Sequence, residues 1–437
     1  MPPAPLSMQR TFYAVFTALL FAVSGASSSV DSLHRVDESR RVVLETVSDA
    51  YLKELLDDIS EWILTLGLPT NNITGNKDTL HTSIFINSNL ARILLANYKL
   101  SGKKEYLNVG LQWCDAFVSL QKDIPTSHGK EIGGYWDTGY ATLYIADTGT
   151  AVTALAVCYD LAHSDVRRTK YKEALLKFDL FVRHGSISTP HCTFKPNCTY
   201  DNGNNETTSS FVLESGALGD GYYKGSINLT PYTISTATTG GAFYAEMFAL
   251  SLKDAPGAPG GHAFSQDQDP NPDYETIATN SVKWILNSRA SNGAIPYIIT
   301  PPSTHEQVYQ AITYSTEAFI DSHIRFGAKT FPELKTLKST VLYILERQGP
   351  DGILIVNGTQ GEQQRSPRAI SLLQWYLKNV DDEKELGDRI KVAIGKYFDY
   401  LKSHRAEYGI NQFALVTGFV GLVTADLLQP WCTFVKN

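Results

Sequence analysis

Twelve stretches of this sequence have the apolar spacing of an amphipathic helix, with hydrophobic residues at i, i+3, i+4 and i+7. We predict helices at 40–66, 79–100, 103–121, 149–163, 169–184, 237–252, 272–289, 304–326, 331–347, 364–379, 382–403 and 409–428. Long connections rich in Gly, Pro, Asn and Tyr follow alternate helices. They are 67–78, 122–148, 185–236, 290–303 and 348–363. Only the connection 253–271 breaks this alternation, and its Gly, Pro and Asp content predicts a solvated excursion. Helices that alternate between an inner and an outer ring would bring these loops to one face, where we expect the functional site.

The N-terminus has the features of a secretory signal peptide. Arg10 precedes an apolar run from Phe12 to Val23, and the small residues Ser24-Gly25-Ala26 follow. The run is shorter than the roughly 20 residues that cross a bilayer. We therefore expect a signal peptide at 1–26 and a secreted, extracellular mature protein that does not enter the membrane. No linker interrupts the helix pairing, which predicts a single domain at 27–437.

The loops and the charge limit the partners of the chain. Five Asn-x-Ser/Thr sequons lie in the predicted long loops, as N-glycan acceptors of a secreted protein should. They are Asn72, Asn197, Asn205, Asn228 and Asn357. The net charge of −7 and the lack of a basic run argue against nucleic acid as a partner.

Five cysteines leave at least one unpaired within the chain. Cys192 and Cys198 flank a short turn with a proline, so we predict a disulfide between them. Cys114 and Cys158 lie in helices among apolar residues, where a buried thiol acts as a small hydrophobe, although Cys432 could pair with either. The sequence has no CxxC and no Cys/His grouping. It therefore predicts no metal site, and no cofactor is expected.

The segment GGYWDTGYATLYIADTG contains the strongest candidate site residues. Cleaving a glycosidic bond typically requires two carboxyl groups, and a sugar ring stacks on flat aromatic surfaces. Asp137 and Asp147 are the candidate catalytic carboxyls, and Tyr135, Trp136 and Tyr140 are the candidate sugar-binding rings. In the alternative interpretation, Asp147 is only the N-cap of the following helix and Asp137 only shapes a turn.

Other candidates lie near the predicted starts of the inner helices, and one, Glu317, lies inside an inner helix. Glu306 and Glu317 are further candidate catalytic carboxyls, while His81, His305 and Arg365 are candidate substrate ligands. A histidine can hold a hydroxyl, and an arginine can bind a carboxylate. Alternatively, His81 and Glu306 are first-turn residues favoured by the helix dipole, and Glu317 forms only a solvated pair with a neighbour.

We predict that the insertion 185–236 forms a small β-hairpin lid, with GDGYYKG as its turn. The loops 290–303 and 348–363 each repeat the pattern of a Gly turn followed by a strand-like piece, as in GGYW. Each helix pair is therefore expected to contribute one edge of a shared cleft.

Twelve helices in six hairpins, together with the GGYWD element, resemble the six-hairpin (α/α)6 toroids of carbohydrate-active enzymes. The resemblance covers nearly all of the mature chain and implies an all-α (α/α)6 toroid with a small β-containing insertion. It also implies a glycoside hydrolase acting on an oligosaccharide or polysaccharide, with Asp137 at the base of the cleft. The alternatives are a polysaccharide lyase, in which Tyr135 or Tyr140 removes a proton while His81 and Arg365 neutralise the acid, and a noncatalytic glycan-binding toroid.

Overall fold

A computed structural model provides the structure of the chain. It describes residues 47–69, 84–125, 131–135, 142–184, 210–223, 226–253, 274–298, 308–327, 334–353, 367–380 and 383–436. The predicted signal peptide, the candidate disulfide of Cys192 and Cys198, and four of the five sequons lie outside these residues. Those four sequons are at Asn72, Asn197, Asn205 and Asn357.

The described residues contain twelve long helices, which we number in chain order. They are α1 (Asp49–Leu64), α2 (Ile84–Ser101), α3 (Lys104–Leu120), α4 (Ile145–Leu161), α5 (Asp165–His184), α6 (233–253), α7 (Tyr274–Asn287), α8 (Val308–Phe326), α9 (335–346), α10 (Arg368–Asn379), α11 (Lys384–Ser403) and α12 (Ala414–Leu428). A single helical turn, Arg405–Tyr408, precedes α12. All twelve predicted helices are confirmed.

The even-numbered helices form a closed inner ring. Each packs against the next even-numbered helix, and α12 returns to α2. The odd-numbered helices pack outside this ring. Close packing in the ring depends on small residues: a side chain at Gly241 of α6 would collide with Ala318 of α8. The predicted (α/α)6 toroid is confirmed, and the long loops enter the N-terminal ends of the inner helices.

Two small sheets lie on the long-loop face. Strands β1 (Lys122–Pro125) and β2 (Glu131–Gly134) form an antiparallel hairpin. Strands β3 (Thr142–Tyr144), β4 (Gly219–Tyr223) and β5 (Ser226–Pro231) form an antiparallel sheet in that order. The predicted hairpin in the 185–236 insertion is confirmed, but most of GDGYYKG is strand β4 rather than turn. The pairing of β3 with β4 joins two long loops that are far apart in sequence.

The inner helix α4 begins at Ile145, earlier than the predicted residue 149. Its start is fixed by α6, which contains an eight-residue π-helical segment, Thr236–Phe243. From that segment, Thr239 donates a hydrogen bond to the Ile145 carbonyl at 2.7 Å, and Thr238 donates one to the Ala146 carbonyl at 3.1 Å. Tertiary contacts therefore hold this first turn in a position that its own sequence does not specify.

In the described part of the chain, side chains from opposite inner helices meet on the axis of the ring at two levels. Nearer the long loops, Tyr314 of α8 makes edge-to-face contacts with Phe85 of α2 and Phe419 of α12, at centroid distances of 6.5 and 6.0 Å. Farther along the axis, Arg92 of α2 and Glu317 of α8 form a buried ion pair across the ring. The axis is therefore apolar near the cleft and charged below it.

The segment 431–436 covers the opposite end of the ring. Arg92 donates from Nε to the Thr433 carbonyl at 3.3 Å, and Arg325 donates to the Val435 carbonyl at 2.9 Å. The Val435 amide in turn donates to Glu246 at 2.9 Å. Buried charges on the inner helices thus bind this segment through its backbone.

The cysteines differ from the prediction. Cys114 of α3 and Cys158 of α4 are not buried thiols, because they form a disulfide. Cys432 is a free, buried thiol and pairs with neither. The helical periodicity could not reveal the bond, because it depends on how two neighbouring helices face each other. Across the described ranges, no helix is both long and apolar enough to cross a membrane.

Candidate active site

Many of the candidate site residues lie outside the described residues, so their roles stay predictions. These residues are His81, Trp136, Asp137, Tyr140, His305, Glu306 and Arg365. The structure describes Tyr135, Asp147 and Glu317.

Asp147 lies in the first turn of α4, on the long-loop face. It is half-buried. Tyr144, rather than Asp147, is the N-cap residue, so the alternative interpretation of Asp147 as the cap is wrong. A carboxylate in a first helical turn is stabilised by the helix dipole and can still face a cleft.

Asp220, which the sequence analysis did not select, lies beside the start of α4. It is followed by Gly221, which pairs with Tyr144 of β3. A side chain at Gly221 would collide with the Leu143 carbonyl, and its φ of +135° suits glycine. This close approach brings β4 against the chain that enters α4. Asp220 and Asp147 therefore belong to adjoining segments of one face.

Burial sets the chemistry of Asp220. The residue is only 8% exposed. Burial raises the pKa of its carboxyl to about 6, and a hydrogen bond from Asn228 partly opposes that rise. The bond runs from Asn228 Nδ2 to Asp220 Oδ2 at 3.1 Å. A carboxyl that keeps its proton up to about pH 6 is suited to general-acid catalysis. The sequence contains a signal for this candidate acid, because Asp220 is followed within three residues by two tyrosines in the largest insertion.

Two tyrosines from different long loops meet next to Asp220. Tyr232 forms an antiparallel bridge with Ile298, and its ring contacts that of Tyr297 edge to face, at 5.7 Å and 88°. Both residues are half-buried. Gly219 of β4 pairs with Pro231 of β5, which brings the chain at Asp220 next to Tyr232. Burial and then the charge of Asp220 raise the pKa of Tyr232. The expectation that separate long loops share a cleft is supported here.

Tyr135 packs inside the protein. It is 2% exposed, and its hydroxyl has no hydrogen-bond partner among the residues that the structure describes. Burial raises the pKa of this phenol. A tyrosine base needs the opposite shift, and a stacking ring needs an accessible face. The geometry of Tyr135 therefore supports neither its predicted sugar contact nor the lyase role.

Glu317 is fully enclosed by arginines. Its carboxylate accepts two hydrogen bonds from Arg92 Nη1, at 3.2 and 3.0 Å, and one from Arg368 Nε at 3.1 Å. Arg368 also pairs with Asp426. Burial opposes ionisation, but the two arginines outweigh it and lower the pKa of Glu317. A carboxylate that is 4% exposed and lies between two buried arginines is out of reach of solvent, and we interpret it as part of the interior.

Asn228 is the one sequon that the structure describes. Its Nδ2, the atom that would carry a glycan, donates to Asp220, and its Oδ1 accepts from the Thr230 amide at 3.0 Å. The side chain is thus engaged at both ends, and N-glycosylation at Asn228 stays a prediction. Within the described ranges, no group of three or more His, Cys, Asp or Glu residues could hold a metal ion.

The sequence matches no protein-family model and no curated protein. Solved structures do share its fold. A GH76A alpha-1,6-mannanase from Salegentibacter sp. is 12% identical, over 86% of this chain and 100% of its own, with a TM-score of 0.52. An inactive variant of that enzyme, with a TM-score of 0.50 and 10% identity over 86% of this chain and 99% of its own, is in complex with alpha-1,6-mannotetrose.

Two further structures extend the comparison. An unsaturated glucuronyl hydrolase from Bacillus sp. is 11% identical, over 86% of this chain and 96% of its own, with a TM-score of 0.52. A cellobiose 2-epimerase from Bacillus thermoamylovorans is 11% identical, over 84% of this chain and 87% of its own, with a TM-score of 0.51. At such identities the likeness establishes the fold. The chain is therefore a six-hairpin (α/α)6 toroid, like these carbohydrate-active enzymes.

Proposed function

We propose that this protein is a secreted glycoside hydrolase that cleaves an oligosaccharide or polysaccharide, with Asp220 as the general acid. The fold it shares with glycoside hydrolases supports a carbohydrate-active function. One observation carries the finer proposal: a buried carboxyl with a pKa of about 6 lies beside two tyrosines on the long-loop face. Such a group can protonate the glycosidic oxygen as the bond breaks.

The second carboxyl comes from the GGYWDTGYATLYIADTG segment. Asp147 is the candidate in the described part of that segment, because it lies in the first turn of α4 next to the strand that carries Asp220. Asp137 is the other candidate, on its sequence context. An ionised carboxylate at either position would act as the base that activates water or as the nucleophile.

We also propose that the protein is secreted. The signal-like N-terminus and the five sequons favour an extracellular protein. The disulfide between Cys114 and Cys158 adds a structural argument, because such bonds persist in oxidising compartments.

Replacing Asp220 by asparagine tests the general-acid role. Asparagine keeps the shape but cannot donate the proton, so kcat should fall by about 10²- to 10⁴-fold on a natural oligosaccharide. The same variant should retain most of its activity on a glycosyl fluoride, whose leaving group needs no protonation. Rates on both substrates are measured with purified protein of unchanged circular dichroism.

The matched control is Glu214→Gln, which changes an exposed carboxyl in the same insertion and should leave both rates unchanged. If Asp220→Asn turned over both substrates like the parent, Asp220 would have no part in catalysis. Of Asp137→Asn and Asp147→Asn, the variant that removes the second carboxyl should, by contrast, lower both rates, since a base or nucleophile is needed with either leaving group.

The pH profile is a separate prediction. A general acid works only while protonated, and Asp220 loses its proton as the pH rises through its pKa of about 6. We therefore expect kcat/KM to decline above about pH 6. Initial rates between about pH 4 and pH 9 would show this decline for the parent, and it should be missing from the fluoride hydrolysis of Asp220→Asn. A parent profile that stays level up to about pH 8 would contradict the assignment.

A further inference from the structure

Two long loops are fixed to each other where Tyr232 meets Tyr297. The Thr233 amide donates to the Tyr297 carbonyl at 3.1 Å, and the Thr233 hydroxyl donates to the Pro296 carbonyl at 2.6 Å. With the bridge between Tyr232 and Ile298, these bonds hold both backbones in place. The ring positions are therefore set before any ligand binds, which lowers the entropic cost of binding.

The two rings form a corner. They are nearly perpendicular, at 88°, and both residues are half-buried, so each ring is held by the protein and still reaches solvent. The C–H face of a pyranose ring packs on an aromatic face. In a perpendicular pair, one ring can offer its face to the sugar while the other ring contacts the sugar from the side.

Asp220 and Asn228 lie on the polar side of this corner, because Gly219 of β4 pairs with Pro231 of β5, the residue before Tyr232. Asn228 Nδ2 donates to Asp220 Oδ2, and the Thr230 amide fixes the Asn228 carbonyl. Asp220 can bond a sugar hydroxyl with its remaining oxygen. The four side chains of this corner, Asp220, Asn228, Tyr232 and Tyr297, include one acid and no base. Above about pH 6, where Asp220 is ionised, a uronate ring would bring a second carboxylate against it, and like charges in a partly buried site are unfavourable.

We propose that Tyr232 and Tyr297 bind one neutral pyranose ring of the substrate against Asp220, so that this subsite selects neutral glycans over uronate-containing ones. The inference rests on the proposed function and specifies its substrate class. It concerns binding, whereas the general-acid role concerns turnover, so the two can be tested apart.

Binding is measured by calorimetry at pH 7 with the full chain. The probes are tetramers of alpha-1,6-linked mannose, beta-1,4-linked glucose and beta-1,4-linked N-acetylglucosamine, with tetragalacturonate as the charged counterpart. We expect one neutral tetramer to bind at least about 10-fold more tightly than tetragalacturonate. Tyr297→Ala should weaken that binding by about 3- to 10-fold, while Tyr297→Phe, which keeps the ring, should bind like the parent.

Tyr400→Ala is the control, because Tyr400 stacks on His404 of the outer layer at 4.3 Å, away from the corner, and its loss should not alter binding. The subsite would be wrong if no neutral tetramer bound, if tetragalacturonate bound as tightly, or if Tyr297→Ala bound like the parent. Loss of turnover in Asp220→Asn together with unchanged binding in Tyr297→Ala would refute only the subsite. The expected binding pattern without any hydrolysis would refute only the hydrolase.

Discussion

Replacing Glu317 by glutamine should destabilise the protein strongly. Arg92 and Arg368 are both 0% exposed, and Glu317 accepts hydrogen bonds from each. Glutamine keeps the volume but removes the charge and turns an NH2 group toward a guanidinium. Breaking a buried ion pair in this way costs about 3–5 kcal/mol, because a charge is left without its partner in a medium that solvates it poorly. The midpoint of urea unfolding should fall by the corresponding amount.

Glu61→Gln is the matched control for this experiment. Glu61 pairs with Lys103 at 3.5 Å, but both side chains are more than half exposed, so the midpoint should not change measurably. Equal midpoints for Glu317→Gln and the parent would mean that the axial ion pairs contribute little. The comparison isolates burial, since the chemical change is the same at both positions.

Removing the disulfide should have an effect of similar size. Cys114 and Cys158 are 44 positions apart in sequence, and both are 0% exposed. Cross-linking a loop of that length restricts the unfolded chain and contributes about 4 kcal/mol in the chain-entropy model. The double change Cys114→Ala with Cys158→Ala should therefore lower the free energy of unfolding by about that amount, as measured in urea.

Reducing conditions provide an independent check on the disulfide. Dithiothreitol should lower the unfolding midpoint of the parent, because the unfolded chain becomes reducible, and should leave the double variant unchanged. Cys432→Ala, which removes the free thiol, should respond to dithiothreitol like the parent. Peptide mapping that recovers Cys114 and Cys158 as free thiols from the native protein would contradict the bond.

The amino-acid sequence by itself determined the helices and the toroid. The 3.6-residue apolar period marks each of twelve helices, and the five long loops that follow alternate helices mark the hairpins, because both signals are local and repeat along the chain. The sequence also identified Asp147 on the long-loop face and a β-hairpin within the largest insertion. Its error at the start of α4 arose because hydrogen bonds from α6 extend that helix by a turn.

Only the tertiary structure decided which distant residues meet. The sequence alone makes Glu317 a catalytic candidate, yet its partner Arg92 is 225 residues away in the chain. The Thr433 carbonyl, which also binds Arg92, is 341 residues away from Arg92. Asp220 gains its raised pKa from burial, and it lies in the middle strand of a sheet built from two separate loops. Burial and ionisation depend on everything that surrounds a group, whereas periodicity depends on its neighbours in the chain. For that reason the sequence specified the ring of helices, and the folded chain specified the chemistry of its carboxyls.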